Sequence, residues 1–488
     1  MLKTISKMLK QFDSNDIVYC HWKSNEHIIP ALNGDTDLDV LFDYSQRLEL
    51  EKVLSECGLK RFRATPLMQY NGIEDYIGFD KETAKIWHLH THYRMTLGEK
   101  HLKGYTITPW SKLILDKRVK NENGIYVSSP EDELTLLLCR IALKIRFRDK
   151  NKKLGADDKA EIAYLLSRVN KEVFYERAKK FTNREIAEAL SKIIKEKLSK
   201  KSQFIKLQKQ LRKQLKPFTQ YSKLRSFNKR TKREIFWLMG GIKRRTGLNN
   251  YKANRRISPA GGCVVALLGC DGAGKSTTLN YIKKELNKKI DVVEIYFGSG
   301  DGSSSLLRKP MKKIAKKVGG KGVGHKVEKE YSEKKISLKS RLYSCAKIIW
   351  AISLAKEKKS KYKKMVKARN NGLLVITDRY PQSEFPGCSD GPLLNKYIDK
   401  KGINGAIAKW EKRIYEKAKI NPPDLTVKLM VPTDIAIERK PEMTKEEIEQ
   451  KKKIIEQINI SDHSVVIDTS KSMDVTLGEV MEKIWEII

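Results

Sequence analysis

The chain lacks paired cysteines. Its seven cysteines, at 20, 57, 139, 263, 270, 345 and 388, are scattered, and no two form a C-x-x-C pair. An odd, dispersed set argues against a disulfide framework and for reduced thiols in a cytoplasmic protein. Long apolar runs are missing too. The opening MLKTISKMLKQFDSND has no apolar core of the signal-peptide kind. The longest run, IIWAISLA (348–355), is too short to span a bilayer. No internal repeat is present. Acid is absent from one basic block: Lys197 to Arg233 holds fourteen Lys or Arg and no Asp or Glu.

What is present is positive charge, +40 over 488 residues, and it is uneven. Residues 1–130 carry 18 basic and 17 acidic side chains, 131–260 carry 36 and 13, and 261–488 carry 45 and 29. Such an excess seeks an anionic partner, unless it is only a solvated helical face. No aromatic platform or nucleic-acid motif accompanies it, which puts an acidic membrane surface ahead of nucleic acid. The expected location is the cytoplasm, with peripheral attachment at the inner membrane face left open. IIWAISLA and the basic tract KEKKSKYKK behind it read as a buried helix with a solvated tail, or as an interfacial segment.

The patterning predicts three parts. Residues 1–130 mix short β-like runs (DLDVLF, IWHLHTHY, GIYVSS) with turns, as a compact α+β domain does. SSPEDEL at 128–134 reads as a helix start, and residues 131–250 form a basic helical region. GLNNYKANRRISPAGG (247–262) is a linker. Residues 263–488 alternate strands and helices, which predicts a three-layer α/β domain on a parallel sheet.

GCDGAGKS (269–276) fits G-x-x-x-x-G-K-S/T, between the strand-like CVVALL and the helix-like STTLNYIKKELNKK. Gly269, Gly272, Ala273 and Gly274 let the backbone curl into a nest of N–H groups around phosphate oxygens, with Thr277 just beyond. The helix N-terminus adds positive potential. Lys275 reaches the β- and γ-phosphates, and the Ser276 hydroxyl ligates Mg2+. One hundred residues on, LLVITDRYPQS places Asp378 at the carboxyl end of a buried strand, where ligands bind in open α/β sheets, with Arg379 next to it.

GCDGAGKST and DRYPQS together resemble the thymidylate kinases, and the resemblance covers about 225 residues. It implies an ATP- and Mg2+-dependent kinase of a nucleoside monophosphate. It also implies an acidic residue inside the loop, here Asp271, that orients the acceptor. Asp378, Arg379 and Tyr380 match the aspartate-arginine-aromatic motif, and Arg439 lies in the segment resembling the lid. Asp378 would hold the metal with Ser276, and Arg379 and Arg439 would clamp phosphates. Two departures leave the acceptor open: IYFGSGDGSSSLLRK (295–309) replaces the acceptor-phosphate segment, and EFPG replaces a Tyr-Gln-Gly run, with the unusual CSDGPLLNKY behind it.

HWKSNEHIIPALNGDTDLDVLF (21–42) is the second informative stretch. Asp37 and Asp39, two apart on an apolar strand, face one side and can hold a divalent metal for nucleotidyl transfer. With Lys23 and Ser24 upstream, the layout resembles the polymerase-β-type nucleotidyltransferases, although lysine stands where that family has glycine. The third carboxylate expected on a later strand is missing from KIWHLHTHYRM (85–95), where His88, His90 and His92 alternate instead. Period two puts those imidazoles on one face, suited to Zn, Mn or Fe, to a phosphate, or to nothing more than a polar sheet face.

Three functions compete: a thymidylate kinase-like nucleoside monophosphate kinase, a kinase of a sugar, polyol or glycan precursor in surface-polysaccharide synthesis, and a nucleotide-switched module that binds membrane or polyanion. The oligomeric state stays open, a homodimer included.

Overall fold

The computed structural model describes residues 1–146, 149, 151–196, 198–246, 251–298 and 338–488. Most of the altered acceptor segment and the basic insert after it lie outside the described residues, as does Lys197. The chain divides into two compact units, Met1–Pro259 and Ala260–Ile488.

In the first unit the strands are β1 (Tyr19–His21), β2 (Leu38–Phe42), β3 (Lys60–Ala64), β4 (Ile73–Asp80), β5 (Lys85–His92), β6 (Thr96–Leu97), β7 (Tyr105–Thr106), β8 (Val119–Lys120), β9 (Tyr126–Val127) and β10 (Arg256–Ile257). Eight of them form one mixed sheet, ordered β10-β3-β4-β5-β2-β1-β9-β8. The pairing that matters is β2 against β5. It is parallel and sets Asp39 beside His90. Helix Lys3–Ser14 covers the sheet with Ile5, Met8, Leu9 and Phe12, which recur at three- and four-residue spacing and are buried.

The helical region packs within this same unit. Its first helix, Pro130–Lys144, starts where the sequence places it: Ser129 accepts the Asp132 N–H, Pro130 opens the first turn, and acids follow. The other helices pack around it, with Phe204, Leu207 and Leu211 buried together. A buried ion pair, Asp132 to Arg177 at 2.6 Å, ties the first of these helices to Lys171–Phe181.

The second unit holds β11 (Cys263–Gly269), β12 (Val292–Tyr296), β13 (Leu374–Asp378), β14 (Leu425–Met430) and β15 (Ser464–Asp468). All are parallel, in the order β12-β13-β11-β14-β15. β11 is central and buried up to Gly269, which explains its unbroken apolar run. Helices Lys275–Leu286, Leu338–Asn370, Ile403–Ile420, Lys445–Gln457 and Met473–Ile487 follow the strands. This is the three-layer P-loop kinase-like architecture. Its register pairs Leu267 with Asp378, so the phosphate loop and the DRY segment emerge side by side at the carboxyl edge.

Among the described residues no helix is long and apolar enough to cross a membrane. KEKKSKYKK forms part of helix Leu338–Asn370, and one expectation about it fails: Lys358 is buried, not solvated.

Candidate functional site

The loop after β11 turns on two glycines in the left-handed region, Gly272 at φ 83° and Gly274 at φ 80°. A Cβ on Gly272 would lie 2.7 Å from the Ala436 carbonyl oxygen, so this position needs glycine for space as well as for conformation. Lys275 opens the following helix, with Ser276 and Thr277 exposed in its first turn. Lys275 Nζ donates to the carbonyls of Gly269 at 2.8 Å and Cys270 at 2.7 Å, so it is folded over its own loop. Burial and the nearby Arg379 guanidinium push its ammonium below the usual range.

Asp378 ends β13. Burial raises its carboxyl, and its Oδ1 is buried without a hydrogen-bond partner. A buried, unpaired carboxylate oxygen at the mouth of a phosphate nest is costly unless a cation meets it. This donor set, with the Ser276 hydroxyl, fits a hard divalent ion. Bound there, Mg2+ would neutralise charge on the phosphates of a nucleotide.

Arg379 has φ 67°, a strained conformation for a residue with a Cβ. Its backbone N–H donates to Leu267 O at 3.0 Å, which fixes the turn against β11. The guanidinium lies 3.8 Å from Asp271 Oδ1 and 3.5 Å from Asp390 Oδ2. Burial opposes its charge, but Asp390 leads a set of acidic neighbours that keeps it protonated. Asp271 is also paired with Lys451. Burial would raise Asp271, and Lys451, Lys275 and Arg379 together hold it below the usual carboxylate range. Arg439 ends helix Thr433–Arg439, where its Nη1 donates to Gly272 O at 3.2 Å and its Nη2 to Thr469 O at 3.1 Å.

The segment after DRY is knitted from within. Gln382 Nε2 donates to the carbonyls of Phe385 and Cys388, at 3.0 and 2.8 Å, and its Oε1 accepts the Phe385 N–H. Lys358 Nζ reaches Asp390 Oδ1 at 2.9 Å and Asp390 O at 3.0 Å. Buried Glu411 accepts the N–H groups of Leu393 and Leu394. Sequence reasoning marked CSDGPLLNKY as unusual but did not find Lys358, Asp390, Gln382 or Glu411. Lys358 is hidden among identical neighbours in a lysine tract, and nothing in its spacing separates it from them.

In the first unit β5 presents the three histidines on one face, with ring centroids 5.3 Å apart for His88–His90 and 4.8 Å for His90–His92. Asp39 meets two of them: its Oδ1 lies 3.0 Å from His90 Nδ1 and 3.2 Å from His92 Nε2. Lys23 Nζ lies 2.8 Å from the same oxygen. Burial would raise Asp39, but Lys23 and the two imidazoles outweigh it and hold the carboxyl well below the usual range. Burial lowers both imidazoles. The ligand atoms of Asp39, His90 and His92 all lie within 4.8 Å of one another. Asp37 is exposed and lies just before β2 rather than on it, 3.0 Å from His88 Nδ1. The other ring nitrogen of His88 meets Asp75 Oδ1 at 2.9 Å, and Arg256 also faces Asp75. Asp75 lies on β4, where His88 and Arg256 engage it, and it is not one of the residues grouped with Asp39, His90 and His92.

The KAP family P-loop domain matches residues 251–477. The ATP-binding protein YghR of Escherichia coli K12 is 26% identical over 228 residues, 45% of this chain and 84% of that protein. YghS of the same strain, also named as an ATP-binding protein, is 30% identical over 180 residues, 37% of this chain and 73% of that protein. The chain belongs to the YghS family. Among solved structures, thymidylate kinase from Candida albicans is 17% identical, covering 47% of this chain and 91% of its own, with a TM-score of 0.27. Deoxyadenosine kinase from M. mycoides with bound dCTP is 18% identical, covering 46% and 100%, with a TM-score of 0.24. At these TM-scores neither likeness bears on the fold or the substrate of this chain.

Proposed function

We propose that the second unit is an ATP- and Mg2+-dependent phosphotransferase whose acceptor is a nucleoside monophosphate, dTMP or a relative. One observation carries the reading. A glycine nest, an invading lysine and a buried carboxylate oxygen without a partner converge at the edge where β11 and β13 end. Lys275 leaves the Gly269 and Cys270 carbonyls when a triphosphate enters and meets its terminal groups. The loop N–H groups hold the rest. Ser276 and Asp378 hold the metal. Arg379, fixed by Asp271 and Asp390, faces the transferred group, and Arg439 steadies the loop through Gly272. Catalysis of this kind is positioning and charge stabilisation.

A hydroxyl acceptor on a sugar, polyol or glycan precursor is the second reading. What favours it is that two carboxylates, Asp271 and Asp390, already share Arg379, which leaves less positive charge for an acceptor phosphate dianion. ADP release, measured across nucleoside monophosphates, sugars and polyols with product identification, separates the two. Release stimulated by no acceptor in either class rejects both.

A further inference from the structure

Helix Lys223–Thr246 is built inside out. Leu224, Phe227, Thr231, Ile235 and Leu238 recur at three- and four-residue spacing and so share one face. That face points to solvent: Leu224 is 72% exposed, Phe227 55%, Ile235 51% and Leu238 58%, and Met239 beside them is 49% exposed. Three of its charges, Arg230, Arg233 and Glu234, face the other way. Arg233 is 3% exposed; its guanidinium donates to the His101 carbonyl at 3.1 Å and to Gln69 O, and it stacks 4.5 Å from the Tyr70 ring. Arg230 reaches Glu99 at 2.7 Å, and Glu234 pairs with Arg146. Packing within the unit therefore consumes the polar side and leaves the apolar stripe outward. A soluble surface does not favour such a stripe, since each exposed aliphatic side chain forgoes burial.

Charge identifies what covers it. Lys223, Arg225 and Lys232 are exposed along the same helix. No acid occurs between Lys197 and Arg233. A second copy of the chain brings +40 toward +40. The second unit is basic as well, its 261–488 segment carrying 45 Lys and Arg against 29 Asp and Glu. An acidic lipid surface matches both features at once, because acyl chains accept the stripe while the headgroups meet the lysines and arginines.

We propose that this helix lies in the plane of an anionic membrane, with Leu224, Phe227, Ile235, Leu238 and Met239 inserted below the headgroups. The attachment holds the first unit at the surface and is independent of the chemistry assigned to the second.

The test is sedimentation of the full chain with vesicles of phosphatidylcholine, with and without about one-third phosphatidylglycerol. Binding to the acidic vesicles alone is expected, falling steeply with salt. The triple variant Leu224→Ser, Phe227→Ser, Leu238→Ser should lose binding with unchanged thermal stability, because those side chains touch little in the folded chain. Lys223→Gln, Arg225→Gln, Lys232→Gln should weaken binding on the order of a hundredfold. Any one of these results overturns the proposal: no binding to acidic vesicles, equal binding to neutral ones, binding that survives the triple serine variant, or self-association that the serine variant abolishes without any vesicle binding. A large loss of thermal stability in the serine variant also overturns it, since the stripe would then be packed within the chain.

Discussion

Replacing Lys358 by methionine tests whether the segment behind DRY is held by charge. The Lys358 and Asp390 side chains are 4% and 5% exposed, and the ammonium reaches both the carboxylate and the backbone carbonyl of Asp390. Removing one partner of a buried pair costs about 3–5 kcal/mol, because the remaining charge stays buried without compensation. Arg379, 3.5 Å from the other carboxylate oxygen, offsets part of this and puts the expected loss near the low end, about 3 kcal/mol. For a unit of this size that corresponds to a fall of roughly 6–12 °C in its thermal transition. Asp390 has φ 68°, so asparagine, which tolerates the left-handed region, is the substitution that removes charge without adding strain. Lys358→Met with Asp390→Asn should therefore regain most of the loss. Calorimetry of the full chain for the wild type, both single variants and the double variant closes the cycle, with a coupling of about 1.5 kcal/mol or more expected. Strict additivity, or a Lys358→Met shift within about 1 °C, refutes the reasoning.

Three further outcomes are expected. Lys275→Ala should lower ATP turnover by more than about a hundredfold with the fold intact, since in the resting loop the ammonium contacts only carbonyls; unchanged turnover rejects the kinase reading. Burial pushes Glu133 up to about 7 from 4.5, against the two N–H donors of Asn25 that favour its ionised form. The folded state then holds the proton more tightly than the unfolded chain, so this stabilisation is full below pH 4.5 and is lost as pH rises through about 7. Urea midpoints should fall across that window, and Glu133→Gln should flatten the fall; a wild-type midpoint that rises there contradicts the sign. In the first unit, isothermal titration with Zn2+ or Mn2+ should show weak binding that Asp39→Asn removes. Lys23→Met, which releases the Asp39 oxygen, should strengthen it roughly tenfold; no response in either variant removes the metal reading of Asp39, His90 and His92.

The phosphate loop was legible because its physics is local. Eight consecutive residues set the glycine turn, the lysine and the helix start, and β11 before them shows as an apolar run. The helix at Pro130 and the one-sided row of imidazoles follow equally from neighbours in the chain. Periodicity also placed Asp378 at a strand end, but only the parallel pairing of β13 with β11 sets it beside the loop. Contacts between distant residues were out of reach. Lys358 and Asp390 are 32 residues apart, and a lysine within a lysine tract carries no sign of burial. Asp39 gathers Lys23, His90 and His92 only because the sheet sets β1, β2 and β5 side by side. The sequence by itself determined which residues form each element and which face of it is apolar. Which way helix Lys223–Thr246 turns that face was decided by the tertiary structure, because the carbonyls of Gln69 and His101 and the carboxylate of Glu99 draw the arginines inward and leave the apolar stripe outside.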